Sequence, residues 1–123
     1  MQAKLISVVF KNIISNDEID LDKSATISLE VSGHSGLNKK GSDILCSAVS
    51  ALSQTFIVSV ARILKIEQKL VQEDGFLSSR IDLTGLSQES RLKLKLLIES
   101  LFIGLFEISK EYPDKIKIEF VNE

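Results

Sequence analysis

The chain contains no tryptophan, and among its 123 residues there is one cysteine, one histidine, one proline and one methionine. Each scarcity excludes something. A single cysteine cannot close an internal disulfide, so the chain carries no mark of an oxidising compartment. One cysteine and one histidine cannot supply the four ligands of a closed zinc site, and neither a metal nor any other cofactor is expected. The net charge is only −2, with acidic and basic residues interspersed. A nucleic-acid binder would gather its lysines and arginines on one face, so no direct nucleic-acid partner is expected. The start, Met1-Gln2-Ala3-Lys4 and a short apolar run, lacks the long apolar core and small-residue cleavage site of a signal peptide. Leu92 to Ile108 reads as the most apolar stretch, but Lys93, Lys95, Glu99 and Ser100 interrupt it, leaving it too short and too charged to span a bilayer. The expectation is a cytoplasmic protein with no membrane partner.

What remains is enough for one domain, residues 1–123, with a core that needs neither disulfide nor metal. Residues 4–10 are β-branched and short and predict a strand. The polar segment 12–23 has its best turn at Asn16-Asp17. From Ala25 to Val31, Ile27, Leu29 and Val31 alternate with Thr26, Ser28 and Glu30, the period of a half-buried strand antiparallel to the first. A helix is predicted from Ser42 or Asp43 to about Lys65, with Leu45, Val49, Leu52, Phe56, Val60 and Ile63 as its buried stripe. Strands at 66–72 and 76–83 flank the turn Glu73-Asp74-Gly75. Ser87 then caps a second helix, Gln88 to Lys110. Its stripe is Leu94, Leu97, Leu101, Leu105 and Ile108, while Leu92, Leu96, Phe102, Ile103 and Phe106 leave its far side largely apolar. That helix is either buried all round or shared with a second copy, and a homodimer is the expectation. Tyr112-Pro113 stops it, and residues 115–121 form a last strand. The order β-β-α-β-β-α-β reads as α+β, two helices packed on a mostly antiparallel five-stranded sheet.

The residues that carry chemistry lie where the second strand passes through loop 32–42, which holds His34, into the first helix, which holds Cys46. A thiol is a nucleophile as thiolate, and an imidazole is the side chain suited to take its proton near neutral pH. If Asp43 is the N-cap, Cys46 is the third helical residue, in the positive end of the helix field, which lowers a thiol pKa. First-turn amides are also fitted to receive an oxyanion. The opposing reading of Cys46 is a small buried hydrophobe, and of His34 a surface or hydrogen-bonded residue. Asp43 either caps the helix or orients His34. Ser50, one turn beyond Cys46, either bonds near the thiol or simply packs. Gly33 and Gly36 let the backbone fold closely round His34, and Gly41 is a candidate loop hinge, as is Gly36. The glycines match neither phosphate-loop pattern. A non-enzymatic module that grips a peptide with loop 32–42 is the alternative.

Gly33-His34 followed by Gly41-Ser42-Asp43-Ile44-Leu45-Cys46-Ser47-Ala48-Val49-Ser50 resembles the signature of the ribosomal-processing cysteine protease family, usually called Prp. The twelve-position separation of His34 and Cys46 matches as well. So do the element order and the closing Glu111-Tyr112-Pro113, so that the likeness covers nearly the whole chain. Ser35 and Ser47 stand where the family usually has alanine. Loop residues Leu37-Asn38-Lys39-Lys40 are basic where relatives are often acidic or aromatic, and segment 11–23 is longer than usual. The resemblance implies that Cys46 is the nucleophile and His34 its general base and acid, with Gly33, Asp43 and Ser50 in support. The implied substrate is the N-terminal extension of large-subunit ribosomal protein twenty-seven, cut after an aromatic residue by a homodimeric enzyme.

Overall fold

The computed structural model describes residues 5–33 and 44–123. Strand β1 (Ile6–Lys11) leads into a two-strand excursion, β2 (Ile14–Ser15) and β3 (Glu18–Ile19), before β4 (Thr26–Ser32). Helix α1 (Ile44–Arg62) follows, then the hairpin β5 (Lys69–Glu73) and β6 (Phe76–Asp82), helix α2 (Gln88–Glu111) and β7 (Ile116–Val121). The five long strands form one sheet in the order β5-β6-β4-β1-β7. Every pairing is antiparallel except β1 with β7, which is parallel. The α+β expectation holds, and the parallel edge follows from α2 acting as a crossover between β6 and β7.

Alternation decides which face of the sheet is covered. Ile6, Val8 and Phe10 of β1, Ile27, Leu29 and Val31 of β4, and Leu77 and Ile81 of β6 are all buried. Their register partners lie side by side, Val8 with Val31 and Ile27 with Ile81. Side chains of period two must share a face, so this set is the inner layer on which both helices rest. Leu45, Val49, Phe56, Ile57 and Val60 cover it from α1, and Leu94, Ile98, Leu101 and Leu105 from α2. The helices meet closely at Gly104, where an added Cβ would stand 3.0 Å from Leu52 Cδ1. At the β7 side Phe10 stacks on Phe120 at 4.9 Å between ring centroids, with Phe102 edge-on to both.

Several expectations need correcting. Ile63 is not on the buried stripe of α1; it is 69% exposed. The helix ends at Arg62, and Lys65, at φ 56, turns the chain so that the Ile66 amide donates to the Val60 carbonyl. Ile66 is buried, but β5 starts only at Lys69. In α2 it is Ile98 that is fully buried, whereas Leu97 and Ile108 are half-buried. That helix is not buried all round, because Leu92, Leu96, Ile103 and Phe106 are exposed. Nor is it the helix whose composition approaches that of a membrane span. Among the described residues only α1 is long and apolar enough for that, and its buried side chains cover the sheet.

The turn at Asn16-Asp17 is present, with φ of 53 and 65, the left-handed pair that a tight two-residue hairpin needs. The segment around it has a structural task. Ile13 and Leu21 are buried, and Arg91 from the first turn of α2 donates to the carbonyls of Leu21 and Leu83. The excursion therefore closes the end of the core at which β1 and β6 finish. Ser87 caps α2 as expected, its hydroxyl accepting from the Ser90 amide, and Tyr112 closes the helix.

Two polar side chains in the described core differ in their satisfaction. Ser79 donates to Gln68 Oε1 at 2.7 Å, and Gln68 in turn donates to the Ile57 carbonyl at 2.9 Å. Ser53, equally buried, has no hydrogen-bond partner for its hydroxyl. A buried orphan hydroxyl costs stability, and alanine is the better helix former. Ser53→Ala is expected to stabilise the fold by about 1 kcal/mol in chemical denaturation; a loss of that size would show that the hydroxyl is satisfied.

Asp82 accepts from both the hydroxyl and the amide of Thr84, at 2.7 and 2.9 Å, and these bonds hold its carboxyl below the ordinary 3.8. A carboxylate depressed in the folded state adds stability above its unfolded pKa, and that stability is lost as pH falls through the folded value. Thr84→Ala is expected to move the Asp82 titration, followed by carboxyl NMR, up towards 3.8. It should also flatten the decline in stability below that pH. An unchanged titration would contradict the assigned cause.

Candidate active site

Two structural elements supply the described residues among those singled out above, and they converge at one end of the sheet. β4 ends at Ser32, and Gly33 follows it. α1 runs back antiparallel to β5, as two contacts show: Gln68 near the start of β5 reaches Ile57, while Gln72 near its end reaches Gln54. The head of α1 therefore points to the end of the sheet where β5 turns into β6, and β6 begins there opposite Ser32. Gly33 is tied to that turn directly, its amide donating to the Gly75 carbonyl at 3.0 Å.

Cys46 is the third residue of α1, whose described span opens at Ile44. Ile44 faces solvent, while Leu45 and Cys46 face inward, Cys46 only 2% exposed. The thiol thus sits in the first helical turn, where the aligned peptide dipoles present their positive end and amides lie beyond the helix's own ladder. Among the described residues of that turn none is acidic. The environment can favour an anion at sulfur and receive a negative oxygen formed next to it. Ser50 lies one turn further along α1 and is half-buried. Gly33 has φ 87, and an added Cβ there would run into the carbonyl oxygen of Leu5. Only glycine fits that position.

His34, Gly36, Gly41 and Asp43 lie outside the described residues. The described part of the site is therefore Gly33, Cys46 and Ser50, together with two residues that the sequence did not single out for the site. Leu5 and Gly75 hold Gly33 through their carbonyl groups, contacts between residues far apart in the chain. The only prior signal was Gly75's place in the predicted β5–β6 turn. No cluster of metal-ligating side chains occurs among the described residues.

Residues 14–117 match the family model for cysteine protease Prp. Among curated proteins, the ribosomal processing cysteine protease Prp of Bacillus subtilis (strain 168) is 29% identical over 93 residues, covering 75% of this chain and 83% of that protein. Among solved structures, SMU.848 from Streptococcus mutans has a TM-score of 0.69 at 23% identity, covering 98% of this chain and 97% of that one. The ribosomal processing protease Prp from S. aureus, in complex with a covalently linked product peptide, has a TM-score of 0.71 at 17% identity, covering 94% of this chain and 99% of that one. The same enzyme in complex with a substrate peptide has a TM-score of 0.69 at 15% identity, with the same coverage. The structural likeness concerns the fold, but the sequence match spans most of the chain and includes both Gly33 and Cys46. This chain belongs to the cysteine protease Prp family.

Proposed function

We propose that the chain, acting as one Prp-like unit over residues 1–123, is a cysteine endopeptidase that removes the N-terminal extension of large-subunit ribosomal protein twenty-seven. The observation that carries this reading is the position of the chain's only cysteine in the first turn of α1, inside the segment that matches the family. The relatives support a peptide substrate: the Bacillus subtilis protein is a ribosomal processing protease, and the S. aureus protease has been solved with substrate and product peptides. The reaction needs no cofactor and takes place in the cytoplasm, where ribosomes mature.

In the proposed mechanism Cys46 attacks the scissile carbonyl as thiolate, forming a carbon–sulfur bond while the carbonyl oxygen takes the negative charge. Amides of the first turn of α1 hold that oxyanion. Collapse expels the new amine, which takes its proton from His34. Water, deprotonated by the same imidazole, then hydrolyses the thioester and returns the thiol. Gly33, Asp43 and Ser50 support the pair, and Gly36 and Gly41 let the loop between them adapt to the peptide. The buried thiol must become accessible to a peptide for the first step, so the cycle includes an opening around Cys46.

We further propose that the enzyme is a homodimer. Leu92, Leu96, Ile103 and Phe106 are exposed along one outer face of α2, an apolar stripe of the kind that a second copy covers. In light scattering, Leu96→Glu with Ile103→Glu should convert a dimer to a monomer; a wild-type monomer at micromolar concentration would contradict this.

The activity is tested by incubating the protein with full-length ribosomal protein twenty-seven from the same organism and measuring intact mass. Loss of one short N-terminal peptide is expected with wild type and none with Cys46→Ala. His34→Ala should slow cleavage by about 1,000-fold, the scale of losing a general base. Cleavage by Cys46→Ala would overturn the assignment. No cleavage by folded wild type would instead favour a peptide-binding module using loop 32–42.

A further inference from the structure

We propose that the outer edge of β5 is a docking strand for the substrate chain on the C-terminal side of the scissile bond. There the substrate pairs antiparallel to β5 and passes its basic residues across Glu73 and Asp74. The proposal rests on the peptidase reading above and names the surface that holds the substrate beyond the cut.

β5 is an end strand of the sheet, bonded to β6 on one side, and among the described residues no strand pairs with its other side. All five of its residues are exposed. Edges of this kind are normally blunted by proline, by a bulge or by a charge in mid-strand. β5 has none of these. Its register with β6 is unbroken from Lys69 to Glu73, and its centre is Leu70-Val71-Gln72, with Leu70 and Val71 45% and 46% exposed. An unpaired row of backbone amides and carbonyls is matched by another extended backbone. The edge also has a seat for a side chain, a groove of about 540 Å³ beside the start of β5 whose lining includes Ala61, Ile66 and Leu70.

Position ties this edge to the thiol. Gln72 donates to Gln54 of α1 at 3.3 Å, so the end of β5 lies level with Gln54. From Gln54 back to Cys46 the helix runs for eight residues, about 12 Å, towards the end of the sheet where β5 turns into β6. An extended chain covers that distance in about four residues. A substrate held at Cys46 therefore meets the end of β5 about four residues from the bond to be cut. If that segment follows the cut, it runs from Glu73 back towards Lys69, antiparallel to β5.

Charge decides which side of the cut pairs. The turn end of the edge carries Glu73 and Asp74, both exposed, and neither joins an ion pair among the described residues. The mature chain of a ribosomal protein must neutralise RNA phosphates with lysines and arginines, whereas an extension that is removed has no such task. The acidic turn therefore suits the sequence after the cut. A second copy is the competing occupant, because an antiparallel β5–β5 pair would set Lys69 against Glu73. The wider apolar stripe of Leu92, Leu96, Ile103 and Phe106 on α2 is the better match for a second copy.

Two measurements test the edge, with full-length ribosomal protein twenty-seven from the same organism as the probe. The first is hydrogen exchange in Cys46→Ala, which holds the probe without cleaving it. Exchange of the outward amides of β5 is expected to slow by about tenfold on binding, while β7, the opposite edge, is unchanged. The second is the kinetics of Glu73→Lys with Asp74→Lys. This reversal should raise KM by about tenfold with kcat within about threefold, and the rise should fade in about 1 M salt. The charge-conserving pair Glu73→Asp with Asp74→Glu should keep the wild-type KM. Slowed β5 exchange without cleavage by wild type would refute the peptidase reading and leave the edge as the site of binding. Cleavage with unchanged β5 exchange and unchanged KM would overturn the edge alone. No binding by the folded protein would overturn both. Self-association lost on charge reversal, with KM unchanged, would assign the edge to a second copy and overturn the proposal.

Discussion

At the end of β4 the protein leaves no room for a side chain. Gly33 is pressed against the carbonyl of Leu5 and bonded to that of Gly75, and that crowding fixes how β4 ends. Three elements meet there: β4 arriving, β1 starting, and the β5–β6 turn folding over. A glycine at such a junction is usually regarded as a source of freedom. Here the neighbours remove that freedom, and what remains is a fixed point on the sheet from which the chain departs.

The opposite anchor is α1. Its apolar content satisfies the length and composition of a membrane helix, but Leu45, Val49, Phe56 and Val60 are buried over the sheet. The consequence reaches Cys46, because a helix held along its length has a fixed head, and the field of that head acts on whatever occupies its first turn. One face of the sheet thus carries both the helix that bears Cys46 and the strand that ends before Gly33. The other end of the core is closed by the short β2–β3 excursion and by Arg91 reaching the carbonyls of Leu21 and Leu83.

Much of this was legible in the sequence because period and turn chemistry are local. The alternation of Ile27, Leu29 and Val31, the caps at Ser87 and Tyr112, and the turns at Asn16-Asp17 and Asp74-Gly75 all appear where the residue types place them. The misreadings concern the limits of periodicity. Ile63 continues the spacing of the α1 stripe, but the helix stops one residue earlier, so the side chain falls into solvent. Leu97 and Ile98 are adjacent, and hydrophobicity alone cannot choose which faces the sheet; the approach of α2 chose Ile98. The apolar outer face of α2 was visible, and of its two readings, buried all round or shared with a second copy, the exposure of Leu92, Leu96, Ile103 and Phe106 rules out the first. At the site, Cys46 is the third residue of the described span of α1, while Asp43, from which its helical position was counted, lies outside the described residues. The contact of Gly33 with Gly75 was not readable, because no local pattern reports a bond between two backbones brought together by the sheet.

The central physical claim is that the head of α1 makes Cys46 a thiolate at working pH. The rate of Cys46 alkylation by iodoacetamide as a function of pH, followed by intact mass, measures this on the only thiol in the chain. A midpoint well below the ordinary thiol value of about 8.5 is predicted. A midpoint at or above that value would mean that burial outweighs the helix field, and that the chain holds its cysteine as a core residue and not as a nucleophile.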